Sequence, residues 1–379
     1  MRNLKTVRGL DGLRAVAVIL VFLSHKAHVD AIDVGQLGVW LFFLISGYLI
    51  IGELHRARLA VEHGTSTRRY ALSLFLAKRA LRIYPVYYLL LAALAIAHAT
   101  VYQRGVDLGL AWHAVFLSNF WIGVVKQGWP GSTSHFWSLA VEQQFYLAAP
   151  VVLLTTRASR HLACCAVAVA LGAAGHLLLY DANASQVLIY AFSPWNFSLI
   201  ALGGLGGIAA NRAGGLAGLR IMRAPLAHWL PWLATAAVAL LVTLPVWAPP
   251  LSGIDDGLAD VGLGAALGAL LLCVVALPDH PMVGGLEWTP LAYLGTISYG
   301  FYLFHNLIPS HFGVWPALDA RLDFPPAVND ALPVVLQFAV AVGLAHLSWR
   351  YFERRLLGYR EPVKRGLQRA FPATAVRGQ

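Results

Sequence analysis

The chain reads as a succession of apolar runs near 20 residues long, broken by short polar and basic segments. A helix of about 20 apolar residues spans the hydrocarbon core of a bilayer. Ten runs qualify as candidate spans: 9–29, 37–53, 83–102, 135–155, 161–180, 187–210, 228–248, 261–277, 291–310 and 331–350. The pattern predicts an all-α fold, a polytopic membrane bundle of about ten transmembrane helices. An eleventh stretch, 108–125, is ambiguous. Its Trp112, His113, Asn119 and Trp121 suit an interfacial segment that lies along the outer surface or dips in and returns.

Two polar positions interrupt the first run. Arg14 and His25 are eleven residues apart, close to three helical turns, so both project from nearly one face about 16 Å apart. Ionisable groups at membrane depth are costly and mark functional sites by default. Two on one stripe predict a polar pathway across the bundle.

Composition supports the membrane reading. The 379 residues are 58% hydrophobic and 12% charged, and a soluble protein carries about twice that charge. No hydrophilic block is large enough for a second domain. The expected division is a membrane domain, 1–358, and a basic cytoplasmic tail, 359–379, that is disordered or bound to the surface. Cys164, Cys165 and Cys273 all fall in apolar segments without metal-type spacing. The first run exceeds a signal-peptide core, and no cleavage site is expected behind it.

The net charge of +10 could suggest nucleic acid in a soluble domain. Here the basic residues sit in loops, and the positive-inside bias accounts for them. Arg2, Lys5 and Arg8 precede the first span. Seven basic residues, Arg56 to Arg82, follow the second, and eight, Arg350 to Arg377, follow the last. If 108–125 does not cross, Arg157, Arg160, Arg212, Arg220 and Arg223 join them, and only Arg104, Lys126 and Arg321 lie outside. Asp255, Asp256, Asp260, Asp319, Asp323 and Asp330 all fall outside. The expectation is ten crossings of a bacterial-type inner membrane with both termini cytoplasmic.

This topology sets depths. Arg14 lies near the cytoplasmic face and His25 in the outer half. Glu142, seven residues into the fourth span, is about 10 Å below the outer surface, so it is expected at the level of His25. Glu142 needs a partner, and histidine or arginine is the natural one. His135 shares its face; Ser138 and Gln143 flank it. In the ninth span Ser298, Tyr302 and His305 occupy one helical face, a third wall for a cavity. Gly203, Gly204, Gly206 and Gly207 suit close helix approach. His98, His176 and His346 read as packed or interfacial. Phe75, Lys78, Arg79 and Arg82 have helical spacing in a basic loop. They suit an orientation signal, a clamp for a phosphorylated ligand, or both. There is no Gly-x-Ser-x-Gly elbow, no His-Glu-x-x-His and no metal cluster in the sequence, so catalysis would rest on His25 as base or nucleophile.

At these residues the chain resembles the acyltransferase 3 family of integral-membrane enzymes. Leu10–His25 is similar to the family's Arg-x10-His signature. Gly38–Ile50 resembles its second span, Phe75–Tyr88 its basic stretch, Phe136–Pro150 its Trp-Ser-Leu-x-Val-Glu-Glu-Gln-Phe-Tyr segment, and Ile297–His305 its Ser-Tyr-x-x-Tyr-Leu-x-His segment. The resemblance implies that Arg14 and His25 are an essential pair with Glu142 as the acid. It implies that Arg14, Lys78, Arg79 and Arg82 face an acyl-CoA donor, acetyl-CoA above all. His135, Ser138, Tyr302 and His305 are then expected to bind substrate. Gln143 stands where a second glutamate is common, and Arg355 where a proline is frequent. The family's hydrolase-like extension is not expected here. The implied activity is transfer of an acyl group to a hydroxyl of a cell-surface or exported carbohydrate. A transporter or flippase for a lipid-linked sugar, and acylation of a macrolide-type metabolite, are the alternatives. Expected partners are acyl-CoA, a carbohydrate and the bilayer, with no tightly bound cofactor, metal or nucleic acid.

Overall fold

A computed structural model describes residues 7–27, 32–100, 108–211, 215–218, 220–247, 253–309 and 325–372. Arg2, Lys5, Arg104, Arg212, Asp319, Arg321, Asp323 and Arg377, which entered the charge argument, lie outside the described residues. The described residues form helices and connecting turns, with no strand among them. We label the principal helices α1 (Leu10–Lys26), α2 (Val34–Glu62), α3 (Arg68–Thr100), α4 (Phe136–Thr155), α5 (His161–Asp181), α6 (Ser193–Ala209), α7 (Leu230–Trp247), α8 (Ile254–Ala276), α9 (Thr289–Thr296), α10 (Ser298–Phe304), α11 (Pro326–Ser348) and α12 (Arg360–Ala370).

All ten apolar runs fall largely on helix. Among the described residues, seven helical stretches are long and apolar enough to cross a membrane. They lie in α2, α3, α5, α6, α7, α8 and the segment from α11 to α12. Of the three remaining runs, 9–29 forms the 17-residue α1, 291–310 is divided between α9 and α10, and 135–155 forms the 20-residue α4, whose apolar run is interrupted by Glu142, Gln143 and Gln144. Leu147, Val151, Leu171, Leu178, Leu240, Val335 and Leu347 are exposed. Outward apolar side chains on apolar helices are what a lipid-facing surface requires. The protein is a multi-pass helical membrane protein.

Helix α2 is the central pillar. It is apolar all round and largely buried, as a helix surrounded by others must be. The Asp33 carboxylate caps it by accepting the Gln36 N–H at 2.9 Å. Its packing against α6 rests on glycine. A Cβ at Gly47 would lie 1.8 Å from the Ile200 carbonyl oxygen, and one at Gly203 would lie 2.0 Å from that of Leu44. No side chain fits where two backbones meet so closely. Gly9 opens α1 in the left-handed region at φ 81°, and its N–H donates to Glu287 Oε1 at 2.5 Å. That bond satisfies one of the donors a helix start leaves free.

The stretch 108–125 has a buried side and an exposed apolar side, on which Val115, Leu117, Phe120, Val124 and Val125 lie. It breaks into the short helices Leu110–Ala114, Ser118–Phe120 and Trp121–Lys126, and His113, Asn119 and Trp121 are buried. A polar network holds it in: Asn119 donates to Ser193 Oγ at 2.7 Å, and Gln144 donates to Asn119 Oδ1 at 2.8 Å. Of the two expectations for the tail, disordered or surface-bound, the first fails for its described part. Residues 360–370 form α12, which packs on α3.

Candidate active site

Three imidazoles meet where the end of α1, the start of α4 and the end of α10 converge. The His25 and His305 rings stack 5.1 Å apart, and His135 sits 5.1 Å from His305. His305 and His135 are fully buried, His25 half-buried. The hydrogen bonds assign the protons. His305 Nδ1 lies 2.7 Å from the Tyr302 carbonyl oxygen. A carbonyl only accepts, so Nδ1 carries the hydrogen and Nε2 of the neutral ring is a lone pair. His25 Nδ1 lies 2.9 Å from that Nε2 and donates to it. Neutral His25 is thereby fixed with its own Nε2 unprotonated, the form a general base needs. His135 Nε2 donates to the Leu303 carbonyl at 3.2 Å. Beside the cluster, Lys26 Nζ donates to the Ile308 carbonyl at 2.8 Å.

Tyr302 joins this cluster to a large cavity. Its hydroxyl lies 2.6 Å from Ser138 Oγ and donates to the His135 carbonyl at 3.0 Å. Both Ser138 and Tyr302 line the cavity, whose volume is about 1230 Å³. From there it runs along the first half of α3 and the second half of α2, past Glu142 and Arg14, to Lys78, Arg79 and Arg82. Cations dominate its far end. Glu53 accepts from Lys78 and Arg79, each at 2.7 Å. Arg14 pairs with Asp11 at 2.9 Å, one turn away on α1. Among the described residues no group of three or more His, Cys, Asp or Glu side chains is arranged to hold a metal ion.

The structure thus divides the ten expected site residues into two groups. His25, His135, Ser138, Tyr302 and His305 form one contiguous cluster. Arg14, Lys78, Arg79, Arg82 and Glu142 line the cavity. One geometric expectation fails: Glu142 does not share the level of His25. His135 does, and seven residues of helical rise place Glu142 about 10 Å farther along α4. Glu142 meets no imidazole; the Ser46 hydroxyl donates to its carboxylate. His25 is not itself a wall of the cavity, and Tyr302 stands between them. Gln143 does not orient Glu142; its buried Nε2 has no hydrogen-bond partner. Reading the sequence missed Ser46, Glu53 and Tyr146. Glu53 carried a signal, as an acid closing an apolar run before a basic loop. Ser46 and Tyr146 carried none beyond lying within segments already singled out. His176 is buried and bonded to Asp260 at 2.9 Å, whereas His346 is exposed and bonded to Tyr293 at 2.6 Å.

A multi-pass helical bundle with a buried imidazole cluster at the head of a cationic cavity is the class these observations define. A family described as "Acyltransferase domain", in full the acyltransferase 3 family, matches residues 7–348. The chain belongs to that family. Over 378 residues it is 26% identical to the "Putative peptidoglycan O-acetyltransferase YrhL" of Bacillus subtilis, covering 95% of this chain and 56% of that protein. It is 31% identical over 164 residues to a "Putative O-acetyltransferase" of Staphylococcus aureus strain COL, covering 41% of this chain and 26% of the relative. It is 32% identical over 154 residues to the O-acetyltransferase OatA of S. aureus, covering 38% and 24%. The chain therefore spans little more than half the length of the first relative and about a quarter of the others. No solved structure matches.

Proposed function

We propose that the protein is a membrane O-acyltransferase that moves an acetyl group from acetyl-CoA to a hydroxyl of a cell-surface or exported carbohydrate. The printed names of the relatives support the class of acceptor. The observation that carries the reading is a cationic cavity whose other end, at Ser138 and Tyr302, adjoins the imidazole cluster. The nucleotide of CoA bears several negative charges and suits Lys78, Arg79 and Arg82. The apolar upper walls suit its pantetheine arm, which points the thioester toward Ser138 and Tyr302. In this orientation the cationic end opens to the cytoplasm of a bacterial inner membrane, and both termini lie on that side.

His25 Nε2 takes the proton of the acceptor hydroxyl as its oxygen attacks the thioester carbon. The new C–O bond forms, the C–S bond breaks, and the proton passes from His25 to the departing thiolate. The product is an ester and free CoA. His305 keeps His25 in the required tautomer, and its Nε2 shares the positive charge that develops. Glu142 and Arg14 stand farther along the path and order the arm of the donor.

The test is release of CoA thiol by purified protein supplied with labelled acetyl-CoA and a glycan acceptor. General acid–base catalysis contributes typically 10²–10⁴-fold, so His25→Ala is expected to lower transfer by at least about 10²-fold. Melting of the variant in detergent controls for folding. Failure of the wild-type protein to consume acetyl-CoA, as expected of a sugar transporter, would overturn the reading.

A further inference from the structure

The last helix brings more charge to the cavity than the basic loop alone. Arg360 and Lys364 are one turn apart on α12, which packs against α3, and both line the cavity. Tyr70 of α3, also a cavity wall, lies beside Gln368 of α12. Arg360 faces Arg82 and Arg79, with Glu53 the acid in range. That acid already serves Lys78 and Arg79. Lys364 reaches Glu361 only at 3.8 Å, and that carboxylate is largely exposed. Among the described residues neither Arg82 nor Arg360 forms an ion pair, and the buried Nε of Arg360 has no acceptor.

Two guanidinium groups from separate helices turn to one cavity and repel each other; Glu142 and Glu353 lie in range of Arg82 and Glu53 in range of Arg360, but none of them is ion-paired to either arginine. An anion between the two would relieve that repulsion. Arginine presents a planar fork of donors that matches phosphate oxygens two at a time. A carboxylate would need one such fork; two forks with Lys364 behind them suit a group with several anionic oxygens.

We infer that α12 is the closing wall of a phosphate site, in which Arg360 and Arg82 together grip the phosphorylated nucleotide end of the donor. The assignment to a nucleotide rests on the acyl-CoA reading above. The chemistry of the grip, a multiply charged phosphate between two arginines, does not. The site makes the C-terminal segment part of the substrate-binding surface. It also makes α12 an element that anion binding should stabilise.

The probe is adenosine 3′,5′-bisphosphate, titrated calorimetrically into the purified full-length protein in detergent. The wild-type protein is expected to bind it, with affinity falling as salt rises. Arg360→Gln is expected to weaken binding at least tenfold, Arg360→Lys to restore part of it, and Lys364→Gln to weaken it less. Equal affinity in wild type and Arg360→Gln, or no binding by the wild type, overturns the site. Vesicles rich in anionic phosphatidylglycerol test the other source of phosphate. Failure to displace the probe supports the nucleotide, and stoichiometric displacement overturns that assignment in favour of a lipid headgroup. Failure of the donor reading looks different, because the probe binds through Arg360 while acetyl-CoA is never consumed.

Discussion

At the scale of single residues, the proposed chemistry turns on the hydrogen bond from His25 to His305. Replacing His305 with phenylalanine keeps a flat ring but removes the acceptor. His25 is then free to carry its proton on either nitrogen. His305→Phe is expected to lower kcat on the order of 10²-fold, with the donor KM little changed, and His305→Gln to recover part of the loss through its amide oxygen. A KM effect alone would mean that His305 binds substrate and does not position His25. How much of this was legible in the sequence is instructive. Helical rise along one segment puts Arg14 and His25 on a common stripe, and the ninth span shows its polar face through Ser298, Tyr302 and His305. The pairing of His25 with His305, 280 residues away, is a tertiary contact without a local signature. The level of Glu142 was misjudged for a related reason. Depth counted from loop charges assumes that every helix starts at one plane, whereas the end of α1 meets the very start of α4.

At the scale of helices, the α2–α6 contact is the most demanding. A Cβ at Gly203 would strike the Leu44 backbone oxygen, and backbone cannot rotate aside as a side chain does. Gly203→Val must therefore separate the two helices. Overpacking typically costs about 1–3 kcal/mol, so a clear fall in the detergent melting temperature is expected. Gly343 in α11 has open space around its missing Cβ, and Gly343→Ala should not lower the melting temperature. Equal behaviour of the two variants would remove the packing argument. The glycine run 203–207 foretold a close approach, but its partner helix could not be named from sequence. The interior network of His113, Asn119 and Trp121 within 108–125 was hidden too, because aromatic and polar residues serve an interface and an interior network equally well.

At the scale of the whole molecule, the proposed orientation places the cationic end of the cavity inside the cell and the imidazole end outside. Cysteine substitutions report this directly in a background without Cys164, Cys165 and Cys273. With an impermeant thiol reagent, Trp129→Cys is expected to label in intact cells, and Arg365→Cys only after permeabilisation. Labelling of Arg365→Cys in intact cells would reverse the molecule and strand the donor site on the wrong side. The all-helical plan was legible because apolar length needs no tertiary information. The number of crossings is harder to read, since α1 is short and the ninth run is divided between two helices.

Glu53 holds Lys78 and Arg79 before any phosphate arrives. If the donor's phosphates bind here as proposed, they must evict a carboxylate that remains tethered beside them, ready to return once the reaction is over. Such a resident competitor weakens capture but speeds departure of the spent carrier. Glu53→Gln should then hold CoA more tightly and turn over more slowly, a trade visible as a lower inhibition constant for CoA beside a reduced steady-state rate.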